Sequence, residues 1–180
     1  DARMPMIVAG SAVIHAGACE ELRLLAEKLN APVAVTRCAK GALREDHPLA
    51  LTHCCRFLAD EAMQVADCTL AIGTRFASLD TRYYALELPR PLIQIDEDPR
   101  EIGLEYPCEF SVVGDLKASL GALIKNIEHG QNNWKQLLQG FRKRFAAQPP
   151  IPLLSEIREV LPEDGILSVD AHAIGYATHD

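Results

Sequence analysis

The chain has 180 residues, 48% of them hydrophobic, and a net charge of −7. This composition predicts a globular α/β protein with one full domain and a remainder, and it argues against a general role in binding nucleic acid or anionic membranes. No apolar stretch approaches the roughly 20 residues that a membrane helix needs. The six cysteines form no Cys-x-x-Cys pair and mostly flank apolar runs, which predicts reduced, buried thiols in a cytoplasmic protein.

Apolar runs and helical periodicity alternate through the first 130 residues. Five apolar runs predict buried strands, at residues 6–10, 33–36, 68–73, 92–96 and 110–115. Apolar residues at helical spacing predict helices at 16–30, 56–67 and 116–130, the last of them ended by Gly130. Continuous apolar strands separated by helices are typical of a parallel sheet that is covered on both faces.

The pattern changes after residue 130. Aromatic and apolar residues from Trp134 to Phe145 predict a helix, and "QPPIP" (148–152) is typical of a linker. A helix with a turn and a strand at 166–170 follow. We therefore expect three parts: a central domain (1–130), a helix with a linker (131–152), and the truncated start of a further domain (153–180). The chain also lacks an initiator methionine, which suggests a fragment of a longer protein.

Small and polar residues follow the predicted strands. In doubly wound parallel sheets, ligands bind where the carboxyl ends of the strands meet. The turn "AGSAVIHAGA" (9–18) places Gly10, Ser11 and Gly17 before a helix, where backbone N–H groups can approach a phosphate. The sequence contains neither the G-x-G-x-x-G dinucleotide motif nor a P-loop, so a tight turn without a ligand stays the alternative interpretation.

Arg75 is a more specific feature of the same edge. The stretch "GTRF" (73–76) follows a predicted strand, so Arg75 emerges where a ligand would lie. An arginine at this place could reach a phosphate or stack on an aromatic ring. Alternatively, it could form a surface ion pair with Asp80 or Glu87.

The acids of "LIQIDEDPREIG" (92–103) also follow a predicted strand. Asp96 could accept hydrogen bonds from ribose hydroxyls, as acids at strand ends do in nucleotide sites. Asp98 precedes Pro99, and an N-cap followed by proline at the first helical position is a favoured helix start. We therefore expect Asp96 to face the ligand groove and Asp98 to cap a short helix that begins at Pro99.

The stretch "HCC" (53–55) could suggest soft metal ligands. A structural zinc site usually has four ligands in paired spacing, and adjacent cysteines chelate one ion only with strain. We therefore favour core thiols over a metal site. No Ser/His/Asp set has a recognisable nucleophile context, and the single His172 after the last predicted strand has no assignable role.

Taken in order, five stretches resemble the central domain of thiamine-diphosphate-dependent enzymes such as acetolactate synthase, pyruvate oxidase and benzoylformate decarboxylase. The stretches are "PMIVAGSAV", "LAEKLNAPVAVTRCAKGALREDHPLAL", "VADCTLAIGTRF", "LIQIDEDPREIG" and "VVGDLKASLGALI". In addition, "EDGILSVDAHAIGYA" resembles the start of the cofactor-binding domain that follows. The resemblance implies an α/β fold with a doubly wound, Rossmann-like parallel sheet of about six strands, of the DHS-like NAD/FAD-binding type.

In the flavin-containing members of this family the central domain holds FAD along the strand ends, and other members bind another nucleotide there or nothing. Carried over by position, the residues that the resemblance implies as cofactor-binding are Gly10, Ser11, Thr36, Gly73, Thr74, Arg75, Asp96 and Asp115. The chain departs from the family pattern at Ala77, where acetolactate synthases have an acid, and at Thr52 and Cys55, where glycines are usual. Side chains at the last two positions could obstruct a flavin.

The resemblance also implies that catalysis needs parts outside this chain. In the family, a glutamate of the N-terminal domain activates thiamine diphosphate, and a Gly-Asp-Gly motif with a downstream Asn in the C-terminal domain holds Mg²⁺ and the diphosphate. Neither is in this sequence. The implied protein is a carboligase or decarboxylase of 2-oxo acids, a homodimer or homotetramer at full length. Its N- and C-terminal domains are the partners of this fragment, which we expect to be inactive alone.

Two other classes stay open. The chain could be a free-standing FAD- or NAD-binding module, such as an electron-transfer flavoprotein domain, or a structural spacer without a ligand. A sirtuin-like enzyme would need a Gly-Ala-Gly-Ile-Ser turn, which "AGSAVIHAG" does not match. Flavin absorbance after gentle purification would distinguish the flavin-binding module from the spacer.

Overall fold

A computed structural model describes residues 2–146 and 152–168 of the chain. The strands are β1 (Pro5–Ala9), β2 (Val33–Val35), β3 (Ala50–His53), β4 (Cys68–Ile72), β5 (Leu92–Asp96) and β6 (Phe110–Val113). The helices are α1 (Ala12–His15), α2 (Cys19–Leu29), α3 (Phe57–Met63), α4 (Leu116–Asn126), α5 (Trp134–Ala146) and α6 (Pro152–Val160). The strands form one six-stranded sheet, and the predicted α/β fold with a parallel sheet is confirmed.

The strand order β3-β2-β1-β4-β5-β6 reverses direction at the centre of the sheet. In β1, Ile7 lies opposite Val33 of β2 on one side and opposite Leu70 of β4 on the other. From β1 the chain builds outward to β2 and β3, then returns to start the other half at β4. In doubly wound sheets this switch point opens a crevice at the carboxyl ends of the two central strands.

All five strands predicted from apolar runs are present, with ends that differ by at most two residues from the predicted ones. The prediction from apolar runs missed β3, although the family resemblance implied about six strands. This strand is only four residues long and ends in Thr52 and His53, so it lacks a continuous apolar run. Its pairing with β2 also shifts register between Val33 and Val35.

The helix predicted from residue 16 begins at Cys19 instead. Gly17 adopts a φ of 62°, which is outside the helical range and separates the short α1 from α2. In α2, Leu22, Leu25 and Ala26 are buried, as their spacing predicts. This helix packs against α4, whose buried residues are Leu116 and Leu120.

Gly130 does not end α4, which stops at Asn126. Instead its backbone N–H donates to the carbonyl of Lys28 at 2.8 Å, at the end of α2. A Cβ at residue 130 would lie 1.9 Å from the carbonyl oxygen of Leu29. Gly130 is therefore required by the close approach of two backbone segments, which helical periodicity cannot reveal.

The helix α5 belongs to the same hydrophobic core. Its residues Trp134, Leu138 and Phe141 are buried, and it packs against α3, where the rings of Phe57 and Phe145 stack with centroids 6.1 Å apart. The guanidinium of Arg142 donates to the carbonyl oxygens of His47 and Ala50 at 3.0 and 2.8 Å. These bonds connect α5 to the start of β3.

The last described segment makes fewer contacts. No residue of α6 is buried, and residues 166–168 form neither helix nor strand. The rest of the strand predicted at 166–170, nearly all of the predicted linker and His172 lie outside the described residues. Within the described residues, no helix has both the length and the apolar character needed to cross a membrane.

The cysteines are less uniformly buried than predicted. All six are free, but only Cys54 and Cys68 are buried, while Cys38 is exposed and the other three are half-buried. Cys38 follows β2 in a 3₁₀ turn at the edge of the sheet, which a pattern of flanking apolar residues does not distinguish from the core.

Candidate functional site

A groove of about 510 Å³ lies at the carboxyl edge of the sheet. It is open between the ends of β1 and β4, the switch point of the strand order. The volume falls in the range of about 300–1,000 Å³ that is usual for small-molecule sites. The predicted residues that line it are Gly10, Ser11, Thr36, Gly73, Thr74, Arg75 and Asp96. The structure therefore brings together every predicted groove residue except Asp115.

The two central glycines are required by packing between the strand ends. A Cβ on Gly10 would lie 2.0 Å from the carbonyl oxygen of Gly73. Gly73 has a φ of 59°, and a Cβ there would lie 2.9 Å from side-chain atoms of both Ala12 and Leu116. The turns after β1 and β4 can thus approach each other only without side chains. Their glycines shape the groove, and this packing explains them without a ligand.

Two threonines lie at the buried edge of the groove. Thr36 is 5% exposed and Thr74 is 4% exposed. The hydroxyl of Thr74 accepts a hydrogen bond from the backbone N–H of Phe76 at 3.1 Å, which tightens the turn after β4. This turn presents Arg75 as an exposed side chain beside the groove.

Arg75 forms no ion pair within residues 2–146 and 152–168. The sequence left open a pair with Asp80, but Asp80 binds His53 instead, with 2.9 Å between Oδ1 and Nε2. Burial alone would raise the pKa of Asp80. Hydrogen bonds from His53 and from the backbone N–H of Arg37 outweigh burial, so the pKa of Asp80 lies below its usual value. Arg75 is thus the basic side chain available to an anionic group in the groove.

Asp96 lies where the sequence predicts it, on the same groove as Gly10 and Arg75. It is only 6% exposed, and its Oδ1 accepts a hydrogen bond from the backbone N–H of Asp98 at 3.0 Å. The loop that follows is held by Gln94, whose side-chain amide donates to the carbonyls of Thr74 and Glu101 at 3.2 and 2.9 Å. The loop and the turn after β4 are therefore tied together beneath the groove.

Asp98 does not cap a helix, which corrects the prediction. The chain makes a turn after Pro99, with one bond from the Glu101 N–H to the Asp98 carbonyl at 3.1 Å, and Gly103 at a φ of 67° ends it. The Asp98 carboxylate instead accepts from the backbone N–H and the guanidinium of Arg100. These two partners, the side chain first, lower the pKa of Asp98 to about 2.

Asp115 has a different role from the one that the resemblance implies. Its Oδ1 accepts a hydrogen bond from the backbone N–H of Ala118 at 2.7 Å, which makes it the N-cap of α4. The side chain is exposed and is not among the residues that line the groove. Glu97 assists at the same helix end by accepting from the Leu116 N–H at 3.1 Å.

Several further residues line the groove that the sequence did not single out for this place. They are Ala12, His15, Cys38, Ala77, Asp80, Glu97 and Glu101, together with Asp98. Most of them follow a predicted strand end within a few residues, and this proximity was the available signal. Asp80 comes eight residues after the end of β4, and only the fold of the intervening loop returns it to the groove.

Comparison with known proteins gives a consistent result. Residues 1–123 match the family described as "Thiamine pyrophosphate enzyme, central domain". A "probable acetolactate synthase large subunit" of Methanocaldococcus jannaschii is 38% identical, over 91% of this chain and 30% of that protein. A "probable 2-ketoarginine decarboxylase" of Pseudomonas aeruginosa is 32% identical, over 97% of this chain and 33% of that protein.

A solved structure from Mycobacterium smegmatis, described as a thiamin diphosphate-dependent enzyme, has the same fold. It is 30% identical with a TM-score of 0.58, over 73% of this chain and 26% of that one. This chain spans about a third or less of the length of these proteins. The resemblance seen in the sequence is confirmed over the part that carries the sheet and the groove.

Proposed function

This chain belongs to the thiamine pyrophosphate enzyme family, whose central domain it contains, and we propose that the full-length protein is a carboligase or decarboxylase of 2-oxo acids. The observation that carries the proposal is the family match over residues 1–123. It is supported by 38% identity to an acetolactate synthase-like protein across most of the chain. Thiamine diphosphate supplies the carbanion chemistry of such reactions, and the protein positions it.

The groove of this chain does not suit Mg²⁺. Magnesium requires oxygen ligands that converge in near-octahedral geometry. Here Asp96, Glu97 and Asp98 each accept hydrogen bonds from the loop or from the start of α4. Among the described residues, these groove acids form no group with the spacing of metal ligands. We therefore assign the binding of thiamine diphosphate and Mg²⁺ to the parts of the full-length protein outside this chain.

For the groove itself we propose an adenine nucleotide or a flavin as ligand. Its position at the switch point supports this, because that crevice is the usual nucleotide site of doubly wound sheets. Asp96 and Arg75 both line the groove, and we expect the buried Asp96 to accept hydrogen bonds from ribose hydroxyls and the exposed Arg75 to meet a phosphate. Five carboxylates line the groove with Arg75 and weaken its attraction for a phosphate, so the ribose contacts would contribute most of the specificity.

Turnover measurements test the proposed reaction. The full-length protein is assayed with thiamine diphosphate, Mg²⁺ and pyruvate, and both acetolactate and acetaldehyde are measured. We expect one of these products, or turnover of another 2-oxo acid in a substrate panel. The 180-residue chain under the same conditions should give none, because it contains neither the activating glutamate nor the Gly-Asp-Gly motif. Turnover by the chain alone, or no turnover of any 2-oxo acid by the full-length protein, would contradict the proposal.

The groove ligand is tested by absorbance at flavin wavelengths and by titration with FAD and ADP. Asp96→Asn should weaken binding about tenfold, because it removes the charge that ribose hydroxyls bind. Asp115→Asn is the matched control: it changes the same charge outside the groove, and asparagine caps helices as well as aspartate does. Equal affinities of the two variants would contradict the contact between Asp96 and the ribose. No binding by the wild-type chain would leave the structural spacer as the interpretation.

A further inference from the structure

Three potential metal ligands meet in the turn between β3 and α3, outside the groove. His53, Cys54 and Cys55 each offer one ligand atom, and these atoms all lie within 4.8 Å of one another. Cys54 is buried and Cys55 is half-buried, while the His53 side chain is 11% exposed. The cluster is therefore largely shielded from water and reachable from one side.

The two thiols point at the same acceptor. The sulfur of Cys54 lies 3.0 Å from the carbonyl oxygen of Asp80, and the sulfur of Cys55 lies 2.9 Å from it. Neighbouring Cα atoms are only about 3.8 Å apart, shorter than the span of about 4.4–6.8 Å in ordinary disulfides. Direct bonding of the two sulfurs is thus strained. One ion about 2.3 Å from each sulfur imposes no such contact.

His53 has the outer partner that metal-binding histidines have. Its Nε2 lies 2.9 Å from Oδ1 of Asp80, and that carboxylate is held independently by the backbone N–H of Arg37 at 2.9 Å. A carboxylate on one ring nitrogen fixes the tautomer and makes the other nitrogen the ligand. That nitrogen, Nδ1, accepts a hydrogen bond from the backbone N–H of Cys55 at 3.3 Å, and a metal ion would take the place of this N–H.

The charge balance also suits a divalent ion. Two thiolates and a neutral imidazole around a 2+ ion give a site of zero net charge, which a largely buried place accommodates at low cost. Arg82 is already paired with Asp60, and it also donates to the carbonyl of Cys55 at 3.2 Å. The Asp80 carboxylate adds one negative charge on the far side of the neutral His53 ring, which favours a cation at the cluster.

We propose that His53, Cys54 and Cys55 bind one thiophilic divalent ion, Zn²⁺ or Cd²⁺, with Asp80 as the residue that positions His53. On binding, both thiols release their protons to solvent, and their two hydrogen bonds to the Asp80 carbonyl are replaced by two metal–sulfur bonds. The hydrogen bond that His53 Nδ1 accepts from the Cys55 N–H is replaced by a metal–nitrogen bond. The step involves no oxidation. The three protein ligands leave the fourth tetrahedral position to water. The inference is independent of the proposed function, since none of its three ligands lines the groove.

Titration of the reduced, chelator-treated chain with Cd²⁺ tests the site through the ultraviolet sulfur-to-cadmium charge-transfer band. We expect saturation at one equivalent, and displacement by Zn²⁺. Cys55→Ser and His53→Gln should each weaken binding at least tenfold, and Asp80→Asn by about 10–100-fold because it removes the outer partner. Cys38→Ser and Cys108→Ser are matched controls that remove a thiol elsewhere and should bind like the wild type.

Circular dichroism shows whether a variant has lost its fold. If one has, the proposal is tested by a measurement on the wild-type chain alone. Zn²⁺ should protect the half-buried Cys55 from N-ethylmaleimide, as read by peptide mass spectrometry, and should leave the exposed Cys38 reactive. Absence of the charge-transfer band in the wild type, equal loss in Cys38→Ser, or no protection of Cys55 would each overturn the proposal.

Discussion

Gly73 and Gly121 show how differently two glycines respond to the same added methyl group. Gly73 has a φ of 59° and a Cβ position 2.9 Å from Leu116, whereas Gly121 lies within α4 with no atom near its Cβ position. We expect Gly73→Ala to destabilise the chain by about 1–3 kcal/mol through backbone strain, with further loss from the clash. Gly121→Ala should stabilise it by about 0.5–1 kcal/mol. Urea unfolding of the two variants measures both, and equal stabilities would show that the turn after β4 relaxes.

The pKa of Asp98 is a second test at this scale. The guanidinium and backbone N–H of Arg100 lower it to about 2. A carboxyl whose pKa is lowered by folding contributes stability above its unfolded pKa of about 3.9, and loses that contribution as the pH falls toward 2. In Arg100→Ala the backbone bond remains but the guanidinium does not, so the pKa should rise toward the unfolded value. Carboxyl-carbon NMR titration measures it, and an unchanged pKa would contradict the pairing.

Contacts between residues that are far apart along the chain were the hardest to predict from the sequence. Asp96 and Arg75 could be placed on one groove because each follows a strand, and parallel strands end at one edge. The bond between His53 and Asp80 joins residues 27 positions apart, through a loop with no periodic pattern. Without this contact, the sequence favoured core thiols at "HCC", an interpretation that stays a prediction. Only the fold shows a histidine with a carboxylate partner.

At the scale of elements, continuous apolar runs were sufficient for five strands but not for β3. The strand β6 was recognised as an apolar run although all four of its residues are exposed. The strand β3 was missed because polar residues end it after two buried ones. An edge strand pairs with a neighbouring strand on one side only, so an apolar sequence does not by itself show that the strand is buried.

The helix α5 provides the test of packing at this scale. Trp134 is fully buried, and its Nε1 has no hydrogen-bond partner within the described residues. Trp134→Ala should cost about 3–5 kcal/mol of unfolding free energy. Trp134→Phe should cost less, since it also removes an unpaired buried N–H. Guanidinium unfolding measures both, with the exposed Lys135→Ala as a control expected within about 0.5 kcal/mol of wild type. Equal stability of all three would show that α5 is not docked.

For the whole molecule, burial falls from the centre of the sheet to one edge. All five residues of β4 are buried and so are Met6 to Ala9 of β1, whereas Phe110 of β6 is 64% exposed. The groove lies between the two most buried strands, so we expect its walls to belong to the part of the fold with the greatest resistance to local opening. This arrangement lets the exposed loops around the groove vary without disturbing the strand ends that carry Gly10 and Gly73.

Native-state hydrogen exchange makes this gradient measurable. We expect the amides of β1 and β4 to exchange slowest, near the rate of global unfolding, because opening them requires disruption of the sheet on both sides. Amides of β6 and α6 should exchange through local opening, since β6 is paired on one side only and no α6 residue is buried. Raising the urea concentration should leave the β6 rates unchanged until global unfolding begins, while the β1 rates rise throughout. If β6 were protected as strongly as β4, its exposed face would have to be covered in solution, and the edge of the sheet would lie beyond it.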